Sequence, residues 1–166
     1  MFIKTFLGCA IFVCLVNAHA ATVTNVTTAT ATLNFNANPT LTHTLTPAQS
    51  TFEAKTYPAG TVFANGLVKA SVGNPDIAIV WHYDAEEDPG GIDAIVHGTN
   101  DPSHTINLQF HNSDGSIINV PADHLFNGKY WAPLKADGIY TIENEQDVTI
   151  AADEYVVSVD AGIWNS

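Results

Sequence analysis

Histidine is the first residue type in this sequence that could support chemistry, as a general base or as a metal ligand near neutral pH. Six of the seven histidines follow residue 20, and none forms a close pair with the spacing of a known metal-ligand motif. His104 and His111 are separated by an odd number of residues, so a strand would direct them to opposite faces. The pattern favours isolated surface or packing histidines, and it leaves a metal site assembled by the fold, as in a metal-dependent hydrolase, as an alternative. The six are His43, His82, His97, His104, His111 and His124.

An acidic run, Asp84–Asp88, offers carboxylate chemistry. Paired carboxylates can act as acid and base on a glycosidic bond, or they can bind a hard cation. The run lacks the alternating Asp/Asn pattern and the closing Glu of a calcium loop, and the turn signal Pro89-Gly90-Gly91 follows it. The pattern therefore favours a solvated loop between strands.

The sequence offers no recognisable nucleophile. There is no Gly-x-Ser-x-Gly elbow, and both cysteines, Cys9 and Cys14, lie in the first 20 residues. A glycine loop for phosphate binding is also missing from the sequence. We therefore predict a protein that is not an enzyme, with no catalytic residue, no metal ligand and no cofactor.

Aromatic side chains could form a binding site by stacking on a sugar ring. Tyr130 and Trp131 are adjacent, and Trp81, Tyr83 and Trp164 complete the candidate set. In a β-sandwich, large aromatic residues more often fill the core. The pattern favours packing, and it leaves open an adhesin, or a polyadhesin with a site on every subunit, that binds a host glycan or protein.

The elements that must position these residues are predicted to be strands. Apolar residues alternate with period two in four segments, which is typical of half-buried strands. In the segment around residues 77–82 both faces are mostly apolar. The four segments are residues 41–46, 77–82, 106–111 and 155–163.

Turn signals separate these segments, and no uncapped stretch of ten or more residues has helical spacing. Several short strands joined by turns indicate a β-sandwich or a barrel, most simply an immunoglobulin-like sandwich. The Cys–Trp–Cys core of an antibody-type domain is absent. The turn signals are Pro58-Ala59-Gly60, Gly73-Asn74-Pro75, Asp88-Pro89-Gly90-Gly91, Asn112-Ser113-Asp114-Gly115 and Ala136-Asp137-Gly138.

Residues 1–20 have the pattern of a signal peptide. Lys4 precedes an apolar run from Phe6 to Val16, and Ala18-His19-Ala20 is a small-x-small cleavage pattern. We therefore expect an exported protein whose mature chain begins at Ala21 and has no disulfide, so that burial and backbone pairing must stabilise it. The remaining length is sufficient for one domain.

The charge balance excludes one class of partner. The formal net charge is −12, and the predicted mature chain has no arginine and four lysines. Because contacts with phosphate groups require Lys and Arg, we expect no nucleic acid partner.

The first mature segment, "ATVTNVTTATATLNF" at residues 21–35, has no charge. As a strand it would have one small, mainly apolar face and one face that is nearly all threonine. This segment resembles the mature N-terminus of the fraction-one capsular antigen and related thin-fibre pilins of the chaperone–usher pathway. Residues 39–45, "PTLTHTL", are similar to the first domain strand of that family, and "IAADEYVVSVDAGIWNS" at the C-terminus resembles its last strand.

The resemblance implies an all-β, incomplete immunoglobulin-like β-sandwich at residues 36–166, which lacks its last strand. Residues 21–35 would be an N-terminal donor-strand extension that fills the open groove of another copy, after a periplasmic chaperone and an outer-membrane usher have exported the subunit to the cell surface. Asn25 departs from the family pattern, which has a small apolar residue there. The implied donor residues are Val23, Asn25, Thr27, Ala29, Ala31 and Leu33, and the implied groove residues are Leu41, His43, Leu45, Tyr155, Val157 and Val159.

Overall fold

The structure is a computed structural model that describes residues 38–82, 86–87 and 91–165, with the backbone alone described at 86–87. These residues belong to a compact unit that spans Asn36–Ser166. They form strands and turns without a helix. In chain order the strands are β1 (Leu41–Pro47), β2 (Thr56–Tyr57), β3 (Val62–Ala70), β4 (Ile77–Trp81), β5 (Glu86–Glu87), β6 (Asp93–His97), β7 (Thr105–Asn112), β8 (Leu125–Phe126), β9 (Lys129–Tyr130), β10 (Ala132–Pro133), β11 (Ile139–Glu143), β12 (Val148–Thr149) and β13 (Val159–Ile163).

Several predictions fall outside the described residues. They are the signal peptide at residues 1–20, the donor-strand extension at residues 21–35 with all six of its donor residues, Tyr83, and the aspartates of the acidic run. In the part of the chain that is described, no helix is long and apolar enough to cross a membrane.

Two antiparallel sheets pack face to face. One has six strands in the order β1-β3-β11-β7-β6-β5, and the other has three in the order β10-β4-β13. The short strands β2 and β12 pair with each other, as do β8 and β9. Buried apolar side chains from both sheets form one cluster between them, which is the arrangement of a β-sandwich.

Alternating residue types explain β1. Leu41, His43 and Leu45 are half-buried while the threonines between them are exposed, because successive side chains of a strand point to opposite faces. The prediction of this strand is confirmed. One of its inward residues is His43, so a half-buried polar side chain lies beside the core at this edge of the sandwich.

The predicted strands at β4 and β7 are also confirmed. The last four residues of β4 are all buried, as expected for a strand with two apolar faces. In β7, Ile106, Leu108 and Phe110 are buried in the core. Trp81 of β4 stacks on Phe110 with ring centroids 4.0 Å apart, so an aromatic contact joins the two sheets at the centre of the core.

Hydrophobic alternation does not predict β3 and β11, because a glycine on β3 and a tyrosine on β11 share one position in the core. Gly66 of β3 is directly opposite Tyr140 of β11, and a Cβ atom at Gly66 would overlap the Tyr140 ring. The ring fills the space that a side chain on β3 would otherwise occupy. Because a residue from another strand completes the core here, the local sequence of β3 looks interrupted.

The last predicted strand is wrong in its length. Alternation predicted a strand over residues 155–163, but β13 begins at Val159. Tyr155 forms an isolated bridge with Gly98, beside the six-stranded sheet, whereas Ser158 accepts a hydrogen bond from the backbone N–H of His82, beside the three-stranded sheet. The segment crosses between the sheets, and period-two hydrophobicity does not detect such a crossing because both sheets share one core.

Part of the acidic run is an edge strand rather than a loop. Glu86 and Glu87 form β5 and pair with Ile95 and Ala94 of β6. Charged residues are common on an edge strand, where they oppose pairing with another chain.

Candidate functional site

The sandwich has two unpaired strand edges on the same side. β1 pairs with β3 on one edge and β13 pairs with β4 on one edge, and neither has a partner on its other edge among the described residues. The Cα atoms of β1 and β13 approach within 8 Å of each other. Two strands with a third between them are about 9.6 Å apart, so a strand could enter at that point only if these edges moved apart.

A groove of about 600 Å³ opens at the C-terminal end of β1. One wall is formed by Leu45 and the other by Tyr155 and Val157, while Phe63 and Leu108 contribute to its floor. Phe63 and Leu108 also belong to the hydrophobic core cluster. The floor of the groove therefore consists of side chains that also belong to the core.

The other end of the interval between β1 and β13 is polar. Nε2 of His43 is 2.7 Å from the hydroxyl oxygen of Tyr140, whose side chain is fully buried. Burial raises the pKa of Tyr140. Burial also lowers the pKa of His43 below its ordinary value of 6.5, and the charge of Asp160 on β13 partly offsets this. The half-buried imidazole is thus favoured in its neutral form.

The two walls run in opposite directions. Along β1 the polar end is marked by His43 and the groove by Leu45, so residue numbers rise toward the groove. Along the opposite wall, β13 (Val159–Ile163) approaches β1, while the preceding Val157 and Tyr155 line the groove. The numbers therefore fall toward the groove, and β1 is antiparallel to β13.

A buried carboxylate fixes the corner where the second wall begins. The Asp153 side chain is 1% exposed and accepts hydrogen bonds from the backbone N–H groups of Asn100, Asp101 and Glu154 at 2.7–3.0 Å. The Asn100 side chain and Nδ1 of His104 also lie within 3.0 Å of it. These hydrogen bonds, led by that from the Asn100 backbone, lower the pKa of Asp153. The carboxylate ties the loop after β6 to the segment that carries Tyr155.

The structure places the six predicted groove residues in two groups. Leu45, Tyr155 and Val157 line the groove, whereas Leu41 and Val159 pack against the core cluster and His43 contacts Tyr140. Their role as a strand-accepting surface remains a prediction.

Sequence reasoning missed the floor of the groove. Phe52 lies in the loop after β1 and Phe63 lies in β3, and their rings are 5.2 Å apart. Ile150, which follows β12, completes this side of the lining. The only sequence signal for these residues is an apolar side chain next to a turn, which does not show that three separate segments converge.

The aromatic candidates lie away from the groove or inside the core. Trp81 is fully buried against Phe110, as the favoured packing interpretation expects, so it is not available to a ligand. Trp164 stacks on His124 with centroids 4.5 Å apart, and Trp131 lies over Gly162 of β13. Both indoles are partly exposed.

The remaining polar clusters have structural partners. His82 Nδ1 lies 2.9 Å from Asp160 in an ion-pair geometry. Among the described residues, no group of three or more His, Cys, Asp or Glu is arranged to hold a metal ion.

Comparison with known proteins gives a match in fold. No protein-family model matches the chain, and no curated protein sequence does. The crystal structure of the Salmonella SafD adhesin aligns with 76% of this chain and 88% of its own, at 19% identity and a TM-score of 0.60. HdaB, the minor tip subunit of the E. coli Hda pilus, aligns with 75% of this chain and 82% of its own, at 14% identity and a TM-score of 0.57.

A third match is a structure of AAF fimbriae from enteroaggregative Escherichia coli, described with fibronectin binding and biofilm formation. It aligns with 76% of this chain and 87% of its own, at 14% identity and a TM-score of 0.58. The chain has the fold of these fimbrial and adhesin proteins. The likeness confirms the predicted fold class, an all-β, incomplete immunoglobulin-like sandwich. The narrower resemblance to the fraction-one capsular antigen stays a prediction.

Proposed function

We propose that this chain is a non-enzymatic structural subunit of a surface fimbria or capsule-like fibre, in which the N-terminal extension of one copy fills the groove of another. The observation that carries the proposal is the groove itself. It lies beside β1 and β13, each of which has an edge without a partner within residues 38–82, 86–87 and 91–165, and its floor belongs to the hydrophobic core. A strand added there gains both backbone pairing and apolar burial.

The proposed occupant is residues 21–33 of a second copy. About ten backbone hydrogen bonds, each worth about 1 kcal/mol net, would contribute as much as the burial of its small side chains. Donor and acceptor surfaces differ, so the contact is head-to-tail and builds an open fibre. The inward residues in this register are Val23, Asn25, Thr27, Ala29, Ala31 and Leu33.

A periplasmic chaperone and an outer-membrane usher are the partners that this assembly requires before export to the cell surface. Unfilled β1 and β13 edges would otherwise pair with other chains and aggregate. The fimbrial and adhesin proteins that share the fold support this assignment.

The test compares donor-strand variants of the full chain co-expressed with its chaperone. Deletion of residues 21–33, or the substitution Leu33→Asp, should abolish high-molecular-weight polymers in size-exclusion chromatography while the subunit–chaperone complex persists. Thr32→Asp, on the other face of the same strand, is the matched control and should polymerise. Long polymers from the deletion variant would show the proposal to be wrong.

Adhesion is the second candidate function. Partly exposed Trp131 and Trp164, beside His124, lie on the face of β13 and its flanking residues that does not line the groove. Such indoles could stack on a glycan or contact a host protein. Polymers should then bind a glycan array or fibronectin, the ligand named for the AAF fimbriae, and Trp131→Ala should abolish binding. Absence of binding by the wild-type polymer argues against this role.

A further inference from the structure

We propose that the polar donor residues Asn25 and Thr27 recognise the His43–Tyr140 pair, so that the acceptor selects a strand in which these two residues precede the apolar Ala29, Ala31 and Leu33. The inference rests on the function proposed above. It adds the basis on which the register and the direction of the entering strand are chosen, and it gives Asn25 a role.

The interval between β1 and β13 has two ends of different chemistry. At one end, His43 and the Tyr140 hydroxyl form a hydrogen-bonded pair of 2.7 Å at the edge of the core. Within the described residues, Nδ1 of His43 makes no hydrogen bond. At the other end, the groove is lined by Leu45, Phe63, Val157 and other apolar residues, together with polar residues of the loop after β1.

The direction of the entering strand follows from the direction of the walls. The sheets of an immunoglobulin-like sandwich are antiparallel, so a strand that completes the smaller sheet runs antiparallel to β13. Since β1 is itself antiparallel to β13, the entering strand is parallel to β1. Its N-terminal half therefore lies at the His43 end, and its C-terminal half lies at the groove.

The donor segment has the same order of chemistry. After Val23, its polar inward residues, Asn25 and Thr27, come before the apolar Ala29, Ala31 and Leu33. In the direction derived above, the polar residues meet the imidazole and the apolar residues enter the groove. The opposite direction would place Leu33 against the imidazole and the Asn25 amide in the groove, away from the His43–Tyr140 pair.

An amide or a hydroxyl is suited to His43 in either tautomer. If the Tyr140 hydroxyl donates to Nε2, then Nδ1 carries the proton and needs an acceptor; in the other tautomer Nδ1 needs a donor. Asn25 offers both an acceptor and a donor, and so does Thr27. An apolar side chain in their place would cover Nδ1 without offering it a hydrogen-bond partner, and we expect it to weaken strand binding about tenfold.

The test is a strand-release experiment with two peptides and two acceptors. The acceptor is the full mature chain carrying Leu33→Asp, so that its own extension does not compete. The probe is a fluorescent peptide of residues 21–35, either unchanged or with Asn25→Leu and Thr27→Val. The second acceptor also carries His43→Leu and Tyr140→Phe, which removes both members of the pair and orphans no buried group.

The first acceptor should release the apolar peptide about ten times faster than the unchanged peptide, and the second acceptor should lose or reverse this preference. A Thr28→Val peptide, changed on the outer face, should be released from each acceptor at the same rate as the unchanged peptide, and its binding to the second acceptor shows that this acceptor is folded. Equal release of both test peptides from both acceptors would overturn the pairing while leaving the proposed function intact. If the unchanged peptide does not bind the first acceptor, the proposed function and the pairing both fail.

Discussion

Leu45→Asp is the substitution that should most sharply separate strand acceptance from folding. Leu45 is half-buried on the inward face of β1 and lines the groove. Its neighbour Thr44 is exposed on the outward face of the same strand. Thr44→Asp adds the same charge to the same strand one residue away, so it controls for net charge and for strand propensity.

The expected magnitude follows from the change in burial. Complete burial of a leucine is worth about 2 kcal/mol, and Leu45 is half-buried before a strand enters, so about 1 kcal/mol remains to be gained. An aspartate loses that gain and must also be desolvated beneath the entering strand, at a cost of several kcal/mol. Strand binding should therefore weaken by at least about a hundredfold, while the open domain still hydrates the carboxylate. Thr44→Asp should change stability by no more than about 0.5 kcal/mol.

The assay is the polymer ladder on gels of unheated samples, together with thermal unfolding of the unpolymerised subunit. Leu45→Asp should give subunits that fold and bind the chaperone but form no ladder, and Thr44→Asp should give a normal ladder. A normal ladder from Leu45→Asp would refute the assignment of this groove as the strand-accepting surface. Loss of the ladder in both variants would show that added charge, and not the groove, is responsible.

Three further predictions concern the framework of the groove. Hydrogen bonds from Asn100 and its neighbours hold the pKa of Asp153 below 3.8. The contribution of this carboxylate to stability is therefore present above about pH 4 and is lost as pH falls through the lower folded pKa. The free energies of unfolding in urea of Asp153→Asn and wild type should differ near neutral pH and converge in acid. Gly66→Ala should destabilise the domain by about 1–3 kcal/mol in chemical unfolding, because its Cβ would overlap Tyr140. Burial lowers the pKa of His43, so as pH falls the unfolded chain binds a proton before the folded chain does. The contribution of the neutral imidazole to stability should therefore be lost as pH falls below about 6.5. In a pH series of thermal midpoints, the variant that combines His43→Leu with Tyr140→Phe should lack this pH-dependent loss.

The strands that sequence reasoning predicted are those whose own residues complete their faces. β1, β4 and β7 each bring a row of apolar or half-buried side chains to the core, so local alternation is sufficient to identify them. β3 and β11 fail this criterion because Tyr140 fills the space above Gly66. The β8–β9 hairpin has a local sequence signal in Asn127-Gly128: both residues have positive φ, at 53° and 79°, as a two-residue type I′ turn requires.

The candidate site was only partly predictable because its two walls differ in origin. The β1 wall is a regular strand, and its inward residues can be counted from the sequence. The opposite wall is a segment that crosses between the sheets, and its position depends on the hydrogen bonds of Asp153. The Asp153 carboxylate lies so close to Gly98 that a residue with a Cβ atom would not fit there. A local pattern cannot express such a contact, since it joins the loop after β6 to the approach to β13.

The crossing also explains why the interval between β1 and β13 is open at the groove and narrow at its other end. Up to Tyr155 the chain is attached to the six-stranded sheet through Gly98, and from Ser158 onward it is attached to the three-stranded sheet. Where the chain leaves one sheet for the other, the groove opens, with Phe63 and Leu108 in its lining. Once β13 is established, it approaches β1 to within 8 Å. An entering strand therefore meets an open apolar groove first and must separate β1 from β13 afterwards, so we expect the Leu33 end to dock before the Asn25 end. Substitutions at Leu33 should then slow association, whereas substitutions at Asn25 should mainly accelerate release.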